Sequence, residues 1–239
     1  MTIHAYKYSD IGGRRVNEDT VDYLERDTHL VAVVADGLGG QGDGNLASQC
    51  VCGSLMRCGA DGHFPSEEEI SDAFEKANQE LISRQKNNYH MKTTAVYLCV
   101  SDNRAIWAHV GDSRLYHIWN WQICHYTLDH SASQMAVFMG QITREEIPND
   151  AGRSRLLRAM GVEDERPDVH EPFTLEPGRH AFLLCSDGLW EYLSDEEIVK
   201  AFSKAETVQG FVGILTLLKH TRSSQDCDNN SAVAVYVEI

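Results

Sequence analysis

Two apolar runs in this chain end on an aspartate followed by glycine. They are Val31-Ala32-Val33-Val34-Ala35 before Asp36-Gly37, and Phe182-Leu183-Leu184-Cys185-Ser186 before Asp187-Gly188. A third run, Ala232 to Val237, reverses the order and follows the acids of Asp226-Cys227-Asp228-Asn229. Runs of this length and composition read as buried strands. A carboxylate at the mouth of a buried strand cannot stay unpaired without a large desolvation cost. Several such mouths meeting at one point make a site for a hard divalent cation, which takes carboxylate, carbonyl and water oxygens.

Composition narrows the partners. The chain has 239 residues and a formal net charge of −15. That charge argues against a nucleic-acid partner, which needs a basic stripe, and equally against an anionic membrane surface. With 42% hydrophobic and 24% charged residues the chain can bury a sizeable core. The seven cysteines form no Cys-x-x-Cys pair and no zinc-ligand spacing. Most sit in apolar runs, where a thiol acts as a small hydrophobe. An odd count with no leader-like N-terminus leads to the expectation of a reducing, cytoplasmic location. The longest apolar stretches are strand-sized, so no membrane-spanning helix is expected.

Along the chain, the first eight residues read as a strand, followed by a second at Thr20 to Leu24 and the buried one at Leu30–Ala35. The glycine-rich stretch 39–44 reads as a flexible loop feeding a helix over 45–56. Ser66 with Glu69 three residues later is a capping-box signal for a helix over 66–86. The middle is rich in short strands: Thr93–Val100, Ala105–Val110, Ser113–Trp119 and Gln122–Tyr126. Their tight spacing predicts an antiparallel meander. Residues 131–165 read as a helical or irregular insertion, and Ala181–Cys185 as a buried strand. A second capping box, Ser194 with Glu197, opens a helix, and a last helix near Val208–Leu218 precedes the terminal strand. No repeat, low-complexity tract or linker divides the chain. Strands at both ends with helices between them predict one α+β domain over 1–239, a sheet sandwich faced by helix pairs.

Taken singly, the acidic motifs are weak, because aspartate and glycine suit any turn. Their order is more specific. Arg14-Arg15-Val16-Asn17-Glu18-Asp19, Asp36-Gly37-Leu38-Gly39-Gly40, Gly111-Asp112-Ser113-Arg114 and Thr127-Leu128-Asp129-His130-Ser131 are followed by Leu157-Arg158-Ala159-Met160-Gly161, Ser186-Asp187-Gly188-Leu189-Trp190 and Asp228-Asn229-Asn230-Ser231. Over roughly residues 3–237 this series closely resembles the bacterial branch of the PPM family of metal-dependent serine/threonine phosphatases, protein phosphatase type 2C.

The resemblance implies an antiparallel β-sandwich flanked by pairs of α-helices, four layers deep, with a Mn²⁺ or Mg²⁺ centre at one end. By position, Asp36 matches the carboxylate bridging two metals; Glu18 and the Gly37 carbonyl join it around one, Asp187 and Asp228 around the other. Asp19 matches the acid that orients the attacking water, and Arg14 the arginine that grips the substrate phosphate. Bacterial members often bind a third metal, and Asp112, Asp187 and Glu191 take the matching positions, with glutamate at 191 where aspartate is usual. Two metals ~3.5–4 Å apart can lower the pKa of a bridging water and stabilise both oxygens of an in-line displacement. Hydrolysis of phosphoserine and phosphothreonine by direct attack of that water is the implied reaction. The implied partners are phosphorylated proteins, substrates of a serine/threonine kinase, met by a monomeric enzyme.

Leu38 stands where eukaryotic members carry the histidine proposed as general acid. His130 is the obvious substitute, but between Asp129 and Ser131 it reads as structural. Segment 131–156 resembles the family's flap beside the active site; Met135, Val137, Phe138 and Met139 read either as its packed side or as a peptide-contacting surface, and packing is the expectation. Two other readings remain: a pseudophosphatase that recruits a partner, which predicts lost metal ligands, and a hydrolase of small phosphate esters on the same fold.

Overall fold

Alternate side chains of each apolar run enter different cores, which is why the runs carry almost no polar residue. The computed structural model describes residues 1–39, 43–85 and 91–239. Its elements are β1 (Thr2–Asp10), β2 (Asp19–Arg26), β3 (His29–Leu38), α1 (Gly44–Leu55), α2 (Glu67–Arg84), β4 (Lys92–Thr93), β5 (Ala95–Ser101), β6 (Arg104–Val110), β7 (Arg114–Trp119) and β8 (Gln122–Tyr126). They continue with α3 (Ala132–Phe138), a 3-10 turn (Arg144–Asn149), β9 (Asp168–Val169), β10 (Phe173–Thr174), β11 (Arg179–Cys185), α4 (Asp187–Trp190), α5 (Asp195–Lys204), α6 (Val208–Arg222) and β12 (Asn230–Glu238).

One sheet runs β1-β12-β11-β7-β8, the other β10-β6-β5-β3-β2, with β4 paired to β3 and β9 to β6. All named strand pairs are antiparallel. On β3, Val31, Val33 and Ala35 pack with α1 and α2, whereas Leu30, Ala32 and Val34 face the opposite sheet. On β12, Ala232, Ala234 and Tyr236 pack with α5 and α6, and Val233, Val235 and Val237 face inward. The period of two along each strand thus fills three cores, helix–sheet, sheet–sheet and sheet–helix. That is the expected four-layer α+β sandwich. Among the described residues, no helix is long and apolar enough to cross a membrane.

Both capping boxes form. Ser66 Oγ accepts from the Glu69 N–H at 3.2 Å while Glu69 Oε2 accepts from the Ser66 N–H at 2.8 Å. Ser194 and Glu197 repeat the arrangement at 3.3 and 3.0 Å. The loop expected at 39–44 falls partly outside the described residues, at 40–42, as does residue 86 of the second predicted helix.

Two expectations need correction. Strands β5 to β8 are two hairpins, β5–β6 in one sheet and β7–β8 in the other, and do not form one meander. Between them Gly111, at φ 102°, turns the chain from sheet to sheet against Thr94. Close spacing shows that strands are consecutive, and pairing is decided by that glycine turn. Secondly, Met135 is 44% exposed and Phe138 and Met139 are each 62% exposed, so they form no packed side. Of that group only Val137 packs, beside the core that also takes Ile147 from the 3-10 turn. Helix α3 is only two turns long, too short to press a whole apolar face inward.

Candidate metal centre

Strand ends from both sheets deliver the acids to one place. Antiparallel register sets Asp19 of β2 directly opposite Asp36 of β3, on one face. From the other sheet, β11 runs out at Cys185, and Asp187 opens α4 two residues later, after Ser186. Ser186 ties the two sheets together: its Oγ donates to Asp19 Oδ2 at 2.8 Å and accepts from the Ser231 N–H at 3.0 Å. Asn229 performs a similar task for Glu18. Its Oδ1 accepts from the Glu18 N–H at 2.8 Å, while Nδ2 donates to the Ile11 and Val16 carbonyls at 2.8 and 3.1 Å. The Glu18 carbonyl in turn accepts from the Gly37 N–H at 3.1 Å.

The charges are crowded and dry. Burial, followed by the carboxylates of Asp19, Asp187, Asp112 and Asp228, holds the Asp36 carboxyl well above the ordinary range. Asp112 is raised in the same way, by burial and then by Asp187 and Asp129. Burial lifts Asp19 to about 7, against the opposing hydrogen bonds from serine hydroxyls. Asp187 is raised by burial and then by Asp228. Glu18 is raised by burial, and burial followed by Asp187 lifts Glu191 to about 7. Such a group favours proton uptake or added cations over full ionisation.

Two guanidiniums answer part of it. Arg14 Nη2 donates to Asp228 Oδ2 at 2.7 Å on the half-exposed rim. Arg153, from segment 131–156, donates through Nε to Glu191 Oε1 at 2.7 Å. Among the described residues, Glu18 Oε1 and Asp19 Oδ1 are buried with no hydrogen-bond partner. Backbone comes close here: a Cβ on Gly44 would lie 2.6 Å from Glu18 Oε1, and one on Gly37 would lie 2.7 Å from the Glu18 carbonyl oxygen and closer still to that of Gly44. Unsatisfied carboxylate oxygens, a glycine-lined approach and an all-oxygen donor set fit hard divalent cations.

The structure therefore gathers Glu18, Asp19, Asp36, Gly37, Asp112, Asp187 and Asp228 around one centre, with Glu191 and Arg14 at its margin. Sequence reasoning passed over Ser186 and Asn229 as participants, although both lie inside motifs that carried acids. Arg153 gave no signal, being 38 residues from Glu191 in the chain. Asp112 is held by residues of three of the motifs. Trp190 Nε1 donates to the Asp112 carbonyl at 2.9 Å, and the Arg114 guanidinium stacks 3.5 Å from the Trp190 ring. Arg114 also makes a two-pronged pair with Asp129, both contacts 2.7 Å.

His130 is structural, as its setting in the sequence suggested. Its Nδ1 accepts from the Gly111 N–H at 3.0 Å, so its proton in the neutral form sits on Nε2. Nε2 faces Arg158 Nη1 at 3.0 Å and Asp168 Oδ2 at 3.3 Å. Ligand atoms of His109, His130 and Asp168 lie within 4.8 Å of one another. The Gly111 N–H on Nδ1 and the proton on Nε2, which faces the Asp168 carboxylate, leave His130 no lone pair for a cation.

A sandwich of two antiparallel sheets between helix pairs, with a carboxylate cradle for divalent cations across the strand ends, defines a class of metal-dependent phosphohydrolases. The family model for protein phosphatase 2C matches residues 8–213, and this chain belongs to that family. Protein phosphatase PhpP of Streptococcus pneumoniae is 32% identical over 198 residues, covering 80% of each chain. The crystal structure of the Mycobacterium tuberculosis serine/threonine phosphatase PstP/Ppp superimposes with a TM-score of 0.87 at 29% identity, covering 100% of both chains. A structure of the PstP catalytic domain in complex with two manganese ions gives 0.81 at 27% identity, over 99% of each chain.

Proposed function

We propose that this protein is a serine/threonine protein phosphatase that hydrolyses phosphoserine and phosphothreonine in proteins, with Mn²⁺ or Mg²⁺ held by its carboxylate centre. The observation that carries this reading is the convergence of Asp19, Asp36, Asp112 and Asp187, each with its carboxyl pushed upward by burial and by its neighbours' charge. Asp36, central to that set, is assigned to both of two cations. Glu18 and the Gly37 carbonyl complete one, Asp187 and Asp228 the other. Asp112, Asp187 and Glu191 are assigned to a third. Bound cations supply Lewis acidity, lower the pKa of water and offset the charge of phosphate.

The protein's own groups divide the remaining work. Arg14 stands on the open rim, and its planar fork suits two phosphate oxygens. Its present partner, Asp228, keeps it aimed across the centre. Asp19 Oδ1, buried and unpartnered, is placed to accept a proton from the attacking water, with Ser186 fixing the other oxygen. No side-chain nucleophile is required, and the seven cysteines are free thiols, five of them buried. Leucine at 38 and the commitment of His130 to Gly111 leave neither residue to protonate the leaving alkoxide.

Segment 131–156 is assigned as a flap bordering the site, supported by the Arg153–Glu191 pair and by the Ser131–Leu156 bridge that closes its base. A monomer in the cytoplasm, opposing a serine/threonine kinase, is the setting we assign. Every acid matched to a metal position is present, which disfavours the pseudophosphatase reading. The test is hydrolysis of a phosphothreonine peptide by the purified chain with Mn²⁺, beside small phosphate esters at equal concentration. Turnover should vanish on chelation and in Asp36→Asn. Activity that survives removal of the metal contradicts the assignment, and faster turnover of the small esters favours the alternative substrate class.

A further inference from the structure

Lys219 is the one fully buried lysine among the described residues, on the inner side of α6 close to its end. Its Nζ lies 3.2 Å from Cys227 Sγ, and among the described residues that sulfur is the group its side chain hydrogen-bonds. Among the described residues, no carboxylate pairs with this amine. Burying a lysine nitrogen without an acidic partner is unusual, since charged nitrogens are rarely enclosed unless paired. The pair is electrically neutral overall whether the proton sits on nitrogen or on sulfur, so the enclosure is tolerable.

The neighbourhood gives the pair a role. Cys227 is the residue before Asp228, and its carbonyl accepts from the Gly13 N–H at 2.9 Å, in the turn that leads to Arg14. Its side chain is 9% exposed, at the margin of solvent. The other cysteines differ. Cys50, Cys52 and Cys99 lie in the apolar core under α1 and α2, with Cys58 packed against it, and Cys185 in the core under α5 and α6. Cys124, though exposed, contacts the Trp119 and Gln122 carbonyls.

We propose that Lys219 and Cys227 form a peroxide-responsive modification site, where oxidation joins the two side chains by a nitrogen–sulfur bond. In the first step the sulfur attacks one oxygen of hydrogen peroxide, the O–O bond breaks, and sulfenic acid and water are formed. Sulfur loses two electrons and the peroxide gains them. In the second step the neutral amine nitrogen attacks the sulfenic sulfur, the S–O bond breaks, and the departing hydroxide leaves as water with a proton from nitrogen. Sulfenic acids condense in this way with thiols and with backbone nitrogen; here an amine already stands within reach. The sum is one thiol, one amine and one peroxide giving one nitrogen–sulfur bond and two waters. The link tethers the loop carrying Asp228 to α6, and thiol reductants reverse it.

The experiment treats the full purified chain, loaded with Mg²⁺, with hydrogen peroxide, caps free thiols with iodoacetamide and digests with trypsin. A joined Lys219 resists cleavage, so peptide 205–222 should appear attached to peptide 223–239, lighter than their sum by two hydrogen atoms. Dithiothreitol before digestion should restore the separate peptides, and neither Lys219→Met nor Cys227→Ser should give the linked species. Unhindered cleavage after Lys219, with Cys227 capped or carrying only oxygen, overturns the proposal. The wild-type chain decides this without either variant.

Discussion

Replacing Asp19 by asparagine should stabilise the metal-free protein and disable the enzyme. Asp19 is 8% exposed, its Oδ1 has no partner, and burial lifts its carboxyl from the ordinary 3.8 to about 7. A carboxyl raised in the folded state binds protons more tightly there than in the unfolded chain. Below its unfolded value both states are protonated and nothing is lost. As the pH rises toward about 7 the folded state is progressively destabilised, and above that the full penalty applies. Each tenfold change in proton affinity is worth about 1.4 kcal/mol. The rise from 3.8 to about 7 therefore sets a ceiling of about 4 kcal/mol above neutrality. Asparagine carries no charge to desolvate, and its oxygen can still accept from Ser186. Urea unfolding with a chelator present should show Asp19→Asn near wild type at about pH 4 and more stable by up to about 4 kcal/mol at about pH 8. For a domain of this size that corresponds to a gain in Tm on the order of 10 °C. With cations restored, turnover should fall by roughly 10²-fold or more, as expected when a positioned proton acceptor is lost. A stability difference that does not change with pH, or a variant less stable than wild type in alkali without metal, refutes the reasoning.

Two further substitutions probe the frame around the centre. Gly37→Ala places a methyl group against the Glu18 and Gly44 carbonyls, 2.7 Å from the former; chemical unfolding should show a loss of about 1–3 kcal/mol, with calorimetry showing weakened cation binding. Asp129→Ala leaves Arg114 buried without its two-pronged partner. Unfolding in urea should show a loss of about 3–5 kcal/mol, and Asp129→Asn, which keeps one acceptor, a smaller one.

The acids of the centre were legible because each is covalently fixed to a strand whose burial the sequence announces. An apolar run that ends in Asp36 or Asp187 puts the carboxylate at the strand's mouth whatever the strand pairs with. The helix starts were legible for a similar reason, since Ser66–Glu69 and Ser194–Glu197 satisfy N–H groups within their own turn. Arg153 on Glu191, Ser186 on Asp19 and Lys219 on Cys227 were not, because each joins segments whose approach depends on packing elsewhere. The exposed Met135, Phe138 and Met139 misled for the opposite reason: apolarity tells what a side chain prefers, and a two-turn helix on a short loop has no room to grant it.

Buried apolar strands with helices between them, and hence a layered α+β sandwich, follow from the residue pattern alone, as does the order of motifs that marks a protein phosphatase 2C. Those properties are local: they depend on spacing along one strand or one turn. Packing in three dimensions puts β6 and β7 in different sheets, sets Asp19 across from Asp36, and brings Ser186 over from the facing sheet to hold it. The energy of the site lies in those crossings. A carboxylate is unremarkable in water, and becomes a demand for a cation only when two sheets close over it with other carboxylates as neighbours.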